Sequence, residues 1–420
     1  MKILIFNQNW FCNAFRECGD EVIHVSMRDD GDYKLSYFMD IADIIKSLPN
    51  NFKPDRILFL DNSAPLYMKG LENIDIPMLF YSVDIHQHYT LHKLLNNVFD
   101  GMFVAMKDYI PRLNNEGYTN VKWLPLFATK VCPLELEKKY NAVFVGTLNE
   151  KLNPDRVKFF RELDKITDIY CTTGKWWEIF PKSHIVMNQT VKGDLNFRVF
   201  EAMGSGSLLL TEKSSNGLFD LFKDNVHMIT YNKGDIYDAK GKIDYYLSHL
   251  KEANEIARAG REEILKNHMP QNRVEVIRKE LINLDSKNRN IDNMNFSMAG
   301  NYLEIFASTK LHNENFAKYI ITLAMQCLNN INYQHLSIDR EDIPLILSCA
   351  INYDNIFRTN ICPNFIRKVK DDVDFEGFKL YDFWNLKNNH DMDIINSIYP
   401  DFNNENIYNL VNNYITSFLL

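Results

Sequence analysis

The stretch "NFRVFEAMGSGSLLLTE", residues 196–212, decides the fold. Its first half has helical spacing and carries Arg198 and Glu201, three positions apart and so on one face of a helix. The helix runs into Gly204-Ser205-Gly206 and hands over at once to "SLLLTE" (207–212), a fully apolar strand. Strands of that kind suit a parallel sheet covered by helices on both faces. A strand–loop–helix turn ahead of the stretch sets the start of this helix at the carboxyl edge of such a sheet, where ligands of open α/β folds bind.

The pattern repeats on both sides. Toward the N-terminus lie the strand "HIVMNQ" (184–189, with Asn188), the strand "DIYCTT" (168–173), the helix "NPDRVKFFRELDKI" (153–166) and the strand "YNAVFVG" (140–146). Asn153 is placed to cap that helix and Pro154 to occupy its first position. Beyond residue 212 come the strand "HMITYN" (227–232) and amphipathic helices over about 235–250, 251–267 and 270–284. The first ~130 residues hold a second set of buried-type strands: "KILIFN" (2–7), "EVIHVSM" (21–27), "DRILFLD" (55–61), "PMLFYSVD" (77–84), "GMFVAM" (101–106) and "VKWLPL" (121–126). Helical spacing marks "YKLSYFMDIADIIKSL" (33–48), and "DYIPRLNNEGY" (108–118) reads as a short helix closed by Gly117. "DSKNRNIDNMN" (285–295) is polar and reads as a linker, followed by helical runs such as "FAKYIITLAMQCL" (316–328) and "IPLILSCAI" (343–351). The expected architecture is α/β, with Rossmann-like domains over 1–128 and 129–285 and an α-helical domain over 286–420.

Bulk properties narrow the functional classes. A chain of 420 residues with 46% apolar and 24% charged residues is a folded protein of more than one domain. A net charge of -8 argues against a general nucleic-acid binder. The seven cysteines, at 12, 18, 132, 171, 327, 349 and 362, form no CxxC or Cys/His spacing. They read as reduced thiols of a cytoplasmic protein and not as a disulfide or zinc framework. The opening "MKILIFNQNW" reads as a first strand and not as a signal peptide, and no run reaches the ~18 apolar residues of a membrane span.

Three stretches bear chemistry. In the opening stretch, Arg198 suits a phosphate and Glu201 suits two ribose hydroxyls, which together fit a nucleotide; an i,i+3 ion pair followed by a capping glycine fits the local pattern equally well. "YSVDIHQHY" (81–89) places Asp84 and His86 at a strand end, with His88 and His92 beyond, as acid–base or hydroxyl-holding groups, a polar loop, or part of a metal site. "FVGTLNEKLNPDR" (144–156) is the first strand–loop–helix turn of the second unit. Gly146 and Thr147 can offer N–H and hydroxyl groups to a pyrophosphate, and Lys151 or Arg156 can offer charge; a plain tight turn is the alternative. This loop is neither GxGxxG nor a Walker A motif, and HExxH and GxSxG patterns are absent. "NQNW" (7–10) stands ready to line a cleft from the other side, and the tryptophans of "GKWWEIF" (174–180) suit stacking or packing.

Two Rossmann-like units with a helix crossing back are the plan of GT-B glycosyltransferases. "DLNFRVFEAMGSGSLLLTE" and the segment from "LFDLFKDNVHMITYNKGD" onward resemble the C-terminal half of the spore-maturation (CgeB-like) glycosyltransferases, related to retaining family-4 enzymes. "YSVDIHQHYTLHKLLNNVFDGMFVAMKDYIPRLNNEGYTNVKWLPL" resembles the end of their N-terminal half. The resemblance implies transfer of a sugar from a nucleoside-diphosphate sugar without a bound metal or other cofactor. It assigns donor binding to Gly146, Thr147, Lys151, Arg156, Asn188, Asp194, Arg198, Glu201 and Gly204, and the acceptor-side reaction centre to Asp84 and His86. The E-x7-E pattern of retaining family-4 enzymes is incomplete: Gly193 stands where the first glutamate would, with Asp194 beside it. The acceptor, a protein or a cell-surface glycan, is left open, and the helical tail is expected to join copies or bind a partner. A silent nucleotide-sugar binder or scaffold and a sugar-nucleotide epimerase of the same fold remain the competing classes.

Overall fold

A computed structural model of the chain describes residues 1–134, 136–286, 289–333, 336, 343–359 and 361. Among the described residues fourteen strands alternate with helices. They are β1 (Lys2–Phe6), β2 (Glu21–Ser26), β3 (Tyr33–Lys34), β4 (Met39–Asp40), β5 (Arg56–Leu60), β6 (Met68–Lys69), β7 (Met78–Ser82), β8 (Gly101–Val104), β9 (Val121–Trp123), β10 (Tyr140–Val145), β11 (Tyr170–Thr172), β12 (Ser183–Asn188), β13 (Leu208–Glu212) and β14 (Ile229–Tyr231). The helices of the first unit are α1 (Cys12–Glu17), α2 (Ile41–Ser47), α3 (Tyr89–Leu95) and α4 (Tyr109–Asn115). Those of the second are α5 (Pro154–Asp164), α6 (Trp176–Ile179), α7 (Phe197–Gly204), α8 (Leu218–Leu221), α9 (Ile236–Ser248) and α10 (Leu250–Asn267). After them come α11 (Pro270–Asn283), α12 (Ile291–Thr309), α13 (Glu314–Asn329) and α14 (Ile343–Phe357).

The strands form two large, fully parallel sheets, in the order β3-β2-β1-β5-β7-β8-β9 and β11-β10-β12-β13-β14, and a small parallel pair β4-β6. Their central strands are buried on both faces, as the uninterrupted apolar runs require. Each order reverses once, between β1 and β5 in the first sheet and between β10 and β12 in the second. The loops leaving the carboxyl ends there part to either side and open a crevice. These are two Rossmann-like domains with helices following them. Among the described residues no helix is long and apolar enough to cross a membrane.

Residues 33–48 depart from the expected helix. Val25 pairs with Tyr33 and Met39 with Met68, so edge pairing holds the first half extended. The helix starts only at Ile41, after Asp40 has accepted the Ala42 N–H at 2.9 Å.

The helices expected after residue 286 are present as α12, α13 and α14, and they pack on the first unit. Helix α11 returns to the first unit, where Arg278 pairs with the buried Asp20 at 2.8 Å and Lys122 with Glu280 at 2.6 Å. The polar stretch at 285–295 is an anchor: Arg289 forks onto Asp100, donating from Nε at 3.0 Å, and donates to the Ile76 carbonyl at 3.0 Å. Asn290 then caps α12. Asn301 of α12 exchanges two hydrogen bonds with the Leu66 backbone, and Phe316 of α13 packs against Tyr37 and Phe38. The described helices beyond residue 290 therefore share the core of the first unit; residues 287, 288, 334, 335, 337–342, 360 and 362–420 of the expected domain, Cys362 included, lie outside the described residues. The chain crosses between the units twice, around 124–139 and at 268–270. The two crossings are tied by the Ala128 N–H, which donates to the His268 carbonyl at 2.9 Å, and by Arg273, which donates to the carbonyls of Pro125 and Leu126.

Asp100 is fully buried and the Arg289 side chain nearly so. Replacing Arg289 with alanine is expected to strand that carboxylate without its guanidinium and to cost about 3 kcal/mol of unfolding free energy, read from urea denaturation.

Candidate functional site

The reversal point of the second sheet opens into a cavity of ≈ 580 Å³. The loop after β10 contributes Gly146, Thr147, Leu152 and Asn153, and α5 contributes Arg156. Thr173, Gly174 and Trp176 come from the turn after β11; Asp194, Asn196, Arg198 and Glu201 come from the turn after β12 and from α7. One residue of the first unit, Gln87, closes the wall.

Arg198 is fixed on three sides. Its Nε donates to the Val145 carbonyl at 2.9 Å, its Nη1 donates to Asn188 Oδ1 at 2.7 Å, and its guanidinium lies 4.5 Å from the Phe144 ring centre. Nη2 reaches over Gly146, where a Cβ would stand 2.5 Å from it and 2.8 Å from the Phe144 ring. That glycine is required by close approach and not as a phosphate donor, because its own N–H is engaged with the Thr172 carbonyl at 2.9 Å. Arg156 is buried. Its Nη2 donates to the Gln189 carbonyl at 2.9 Å, and its Nε has no protein partner. The hydrogen-bond acceptors of both guanidiniums are thus carbonyl and amide oxygens, not carboxylates. Burial, together with Arg156, pushes Arg198 down to about 10, and burial lowers Arg156 as well. Both remain cationic at neutral pH, so the cavity holds two desolvated positive charges that an anion would neutralise.

Glu201 does not pair with Arg198, so the ordinary ion-pair reading of the helix falls. Its Oε1 accepts at 2.8 Å from the hydroxyl of Thr129, which lies on the segment that joins the two units. Burial drives its carboxyl up to about 7, against the Thr129 hydrogen bond and the Arg198 charge. The turn into β13 is made at Gly206 (φ +74), in the left-handed region, after the Ser205 and Gly206 N–H groups have closed the last carbonyls of the helix.

A smaller gap of ≈ 170 Å³ lies between the units, lined by Asp61, Ser63 and Asp84 on one side and by Asp194, Asn196 and Phe197 on the other. Asp84 accepts from the Ser63 hydroxyl, while Asp61 accepts the Asp84 and Val83 N–H groups at 2.7 and 2.9 Å. Asp194 accepts the Val191 N–H at 2.5 Å, and burial raises its carboxyl. His86 is buried behind this surface and lines neither cavity. Burial lowers its imidazole, opposed first by the Asp194 charge and then by Asp84, and its Nδ1 has no protein partner.

The sequence-derived set is therefore brought together in part. Gly146, Thr147, Arg156, Asp194, Arg198 and Glu201 line the main cavity, and Asp84 and Asp194 line the gap. Lys151 does not join them: Asn149 Oδ1 accepts the Lys151 and Leu152 N–H groups at 2.9 and 3.3 Å, closing a turn that leaves the Lys151 side chain in solvent. Asn153 gives no side-chain cap to α5. Asn188 is fully buried behind Arg198 and orients it, with its Nδ2 donating to Thr211 at 2.9 Å. Gly204 packs on Ala128 and Ile264, and its carbonyl accepts from Arg261. His92 belongs to the interior of the first unit, bonded to Ser82 at 2.7 Å and 3.7 Å from Asp61. Among the described residues no group of three His, Cys, Asp or Glu side chains is placed to hold a metal ion. Thr129, Asp61 and the Phe144 ring escaped sequence reasoning. Only the strand-terminal aspartate of "DRILFLD" gave a signal, at the edge where such folds bind ligands.

Residues 159–279 match the family described as glycosyl transferase-like, a span that includes Asp194, Arg198 and Glu201. No curated protein matches the sequence. Among solved structures, that of Anabaena Alr3699/HepE in complex with UDP and glucose is similar at 11% identity and a TM-score of 0.48, over 68% of this chain and 100% of that one. A glycosyltransferase from Rickettsia africae is similar at 11% identity and a TM-score of 0.47, over 68% of this chain and 99% of that one. Sucrose-phosphate synthase from Thermosynechococcus elongatus is similar at 9% identity and a TM-score of 0.47, over 67% and 99%.

The raised Glu201 carboxyl has a stability signature. Its folded value of about 7 exceeds the usual 4.5, so folding favours the protonated form, and stability is lost as pH rises from 4.5 through 7. Glu201→Gln is expected to be more stable than the native chain at pH 8 by about 2 kcal/mol, the difference vanishing below pH 4.5, in urea titrations at both pH values.

Proposed function

We propose that the chain is a glycosyltransferase moving a sugar from a nucleoside-diphosphate sugar to an acceptor held by the first unit. The observation that carries this reading is the meeting of Arg156, Arg198 and Glu201 in one cavity, with neither guanidinium bonded to a carboxylate. The diphosphate lies between the two guanidiniums. Ribose hydroxyls donate to Glu201, and the sugar points into the gap lined by Asp84 and Asp194.

As the bond from the anomeric carbon to the diphosphate breaks, negative charge grows on the leaving oxygen. Two cations already desolvated and held by the Val145, Gln189 and Asn188 oxygens stabilise that charge without reorganising. We assign to them the role a divalent metal fills at other phosphate-transfer sites, and the reading includes neither metal nor cofactor. Asp194 and Asp84 hold the hydroxyls of the transferred sugar, and His86 acts as a positioning group behind them. Retention of the anomeric configuration belongs to the same proposal and is supported by the resemblance of the α7 segment to retaining enzymes. Bringing the units together excludes water that would otherwise hydrolyse the donor.

Calorimetric titration with uridine, guanosine, adenosine and thymidine diphosphates tests the donor site. At least one is expected to bind, and Arg198→Ala to weaken it by about 2 kcal/mol or more. Because Glu201 accepts ribose protons only as the carboxylate, binding is expected to be about tenfold weaker at pH 6 than at pH 8, and Glu201→Gln to be weak at both. Failure of every diphosphate to bind overturns the reading. With a bound nucleotide sugar and no acceptor, slow release of the diphosphate is expected; an epimer in its place would assign the chain to the epimerase class.

A further inference from the structure

The proposed donor site leaves a second large cavity without a role. It measures ≈ 490 Å³ and lies at the carboxyl ends of β1 and β2, beside the gap at the reversal point of the first sheet. Trp10 lines both this cavity and the gap where Asp84 and Asp194 face one another. Thr129, another of its lining residues, donates to Glu201. The second cavity therefore adjoins the reaction gap through Trp10 and the donor cavity through the Thr129–Glu201 hydrogen bond.

Its chemistry is selective. Trp10 is half-buried and meets Phe11, Phe127 and Phe197 only edge-on, at 6.4, 6.0 and 5.2 Å between ring centres. Among the described residues no aromatic ring stacks on its flat face. Around it stand Asn9, Asn13 and Asp30, whose side chains have no protein hydrogen-bond partner among the described residues. Asp32 is fixed through one oxygen, accepting from Arg16 at 2.6 Å and from the His24 N–H at 2.8 Å. A flat indole beside free amides and carboxylates matches a pyranose ring. Its C–H face lies against the aromatic surface, and its neighbouring hydroxyls need planar groups that both donate and accept. The lining has no extended apolar groove for a lipid chain. Two carboxylates against one already-paired arginine repel a phosphorylated or acidic acceptor. The volume falls within the range of small-molecule sites.

We propose that this cavity is the acceptor subsite and that the acceptor is an uncharged saccharide, its terminal ring seated against Trp10 and its reacting hydroxyl directed into the gap at Asp84. This rests on the glycosyltransferase reading and adds the acceptor class to it. In the transfer, the acceptor oxygen bonds the anomeric carbon, the diphosphate leaves with the bonding pair, and the acceptor proton passes to the departing diphosphate or to solvent.

Saturation-transfer NMR on the full chain tests the subsite, with methyl glucoside, methyl galactoside, methyl N-acetylglucosaminide and cellobiose as probes and glucose 6-phosphate and glucuronate as anionic controls. The donor cavity is first filled with whichever nucleoside diphosphate binds. At least one neutral probe is expected to bind with saturation concentrated on ring C–H protons, and the anionic controls at least tenfold more weakly. Trp10→Ala and, because Trp10 also packs on Phe127 and Phe197, the exposed Asn13→Ala are each expected to weaken that probe tenfold or more. A nucleoside diphosphate that binds while every neutral glycoside fails overturns the acceptor assignment alone. So does glycoside binding that survives Asn13→Ala and Trp10→Ala, or tighter binding of the anionic controls. Loss of nucleoside diphosphate binding in the native chain instead brings down the donor reading.

Discussion

The cavity of the second unit is built around a positive charge that, among the described residues, no carboxylate is bonded to. Arg198 is half-buried, held by a strand-end carbonyl, an asparagine oxygen and an aromatic face, and burial shifts it toward neutrality without reaching it. Moving such a group out of water is costly, and a carboxylate partner is the usual remedy. Glu201 is only one helical turn away, yet it turns to Thr129. A buried guanidinium bonded to no carboxylate and a carboxyl whose charged form burial disfavours are both unfavourable for the protein on its own. A ligand bearing phosphates and a diol would relieve both. Sites that give up stability in this way are where function is expected to concentrate.

Much of the scaffold was legible in the sequence because parallel strands buried on both faces write themselves as unbroken apolar runs. The runs beginning at Lys2, Glu21, Asp55, Pro77 and Gly101 all became strands of the first sheet, and those at Tyr140, His184 and Ser207 strands of the second. Periodicity failed where pairing at an edge decided the matter, as at Tyr33 and Met39. It failed again where polar residues served as anchors: Arg289 and Asn290 read as linker, because nothing local announces that Asp100, nearly two hundred residues earlier, lies buried beneath them.

The site was legible by residue type and less so by role. Arg156, Arg198, Glu201 and Asp194 follow from chemistry at a strand end, and they do meet. Lys151 carries the same charge as Arg156 five residues earlier on a loop, but the Asn149 turn faces it outward, and only backbone geometry could decide that. Asn188 and Gly146 turn out to support Arg198, one by a hydrogen bond and one by having no side chain. Such supporting roles depend on angles that sequence spacing does not encode. Thr129 had no local signal at all, being a single hydroxyl on a connecting segment whose partner lies 72 positions away.

The two crossings between the units have a mechanical consequence. A single strap would let one lobe swivel freely about it. Here the straps run side by side, stitched by the Ala128–His268 hydrogen bond and by Arg273 reaching to Pro125 and Leu126. Twisting would shear those bonds, whereas bending flexes both straps together. Bending must also part Lys107 from Asp220 and Asp108 from Asn216, which meet across the units, so widening the space between Asp84 and Asp194 has to break those contacts as well.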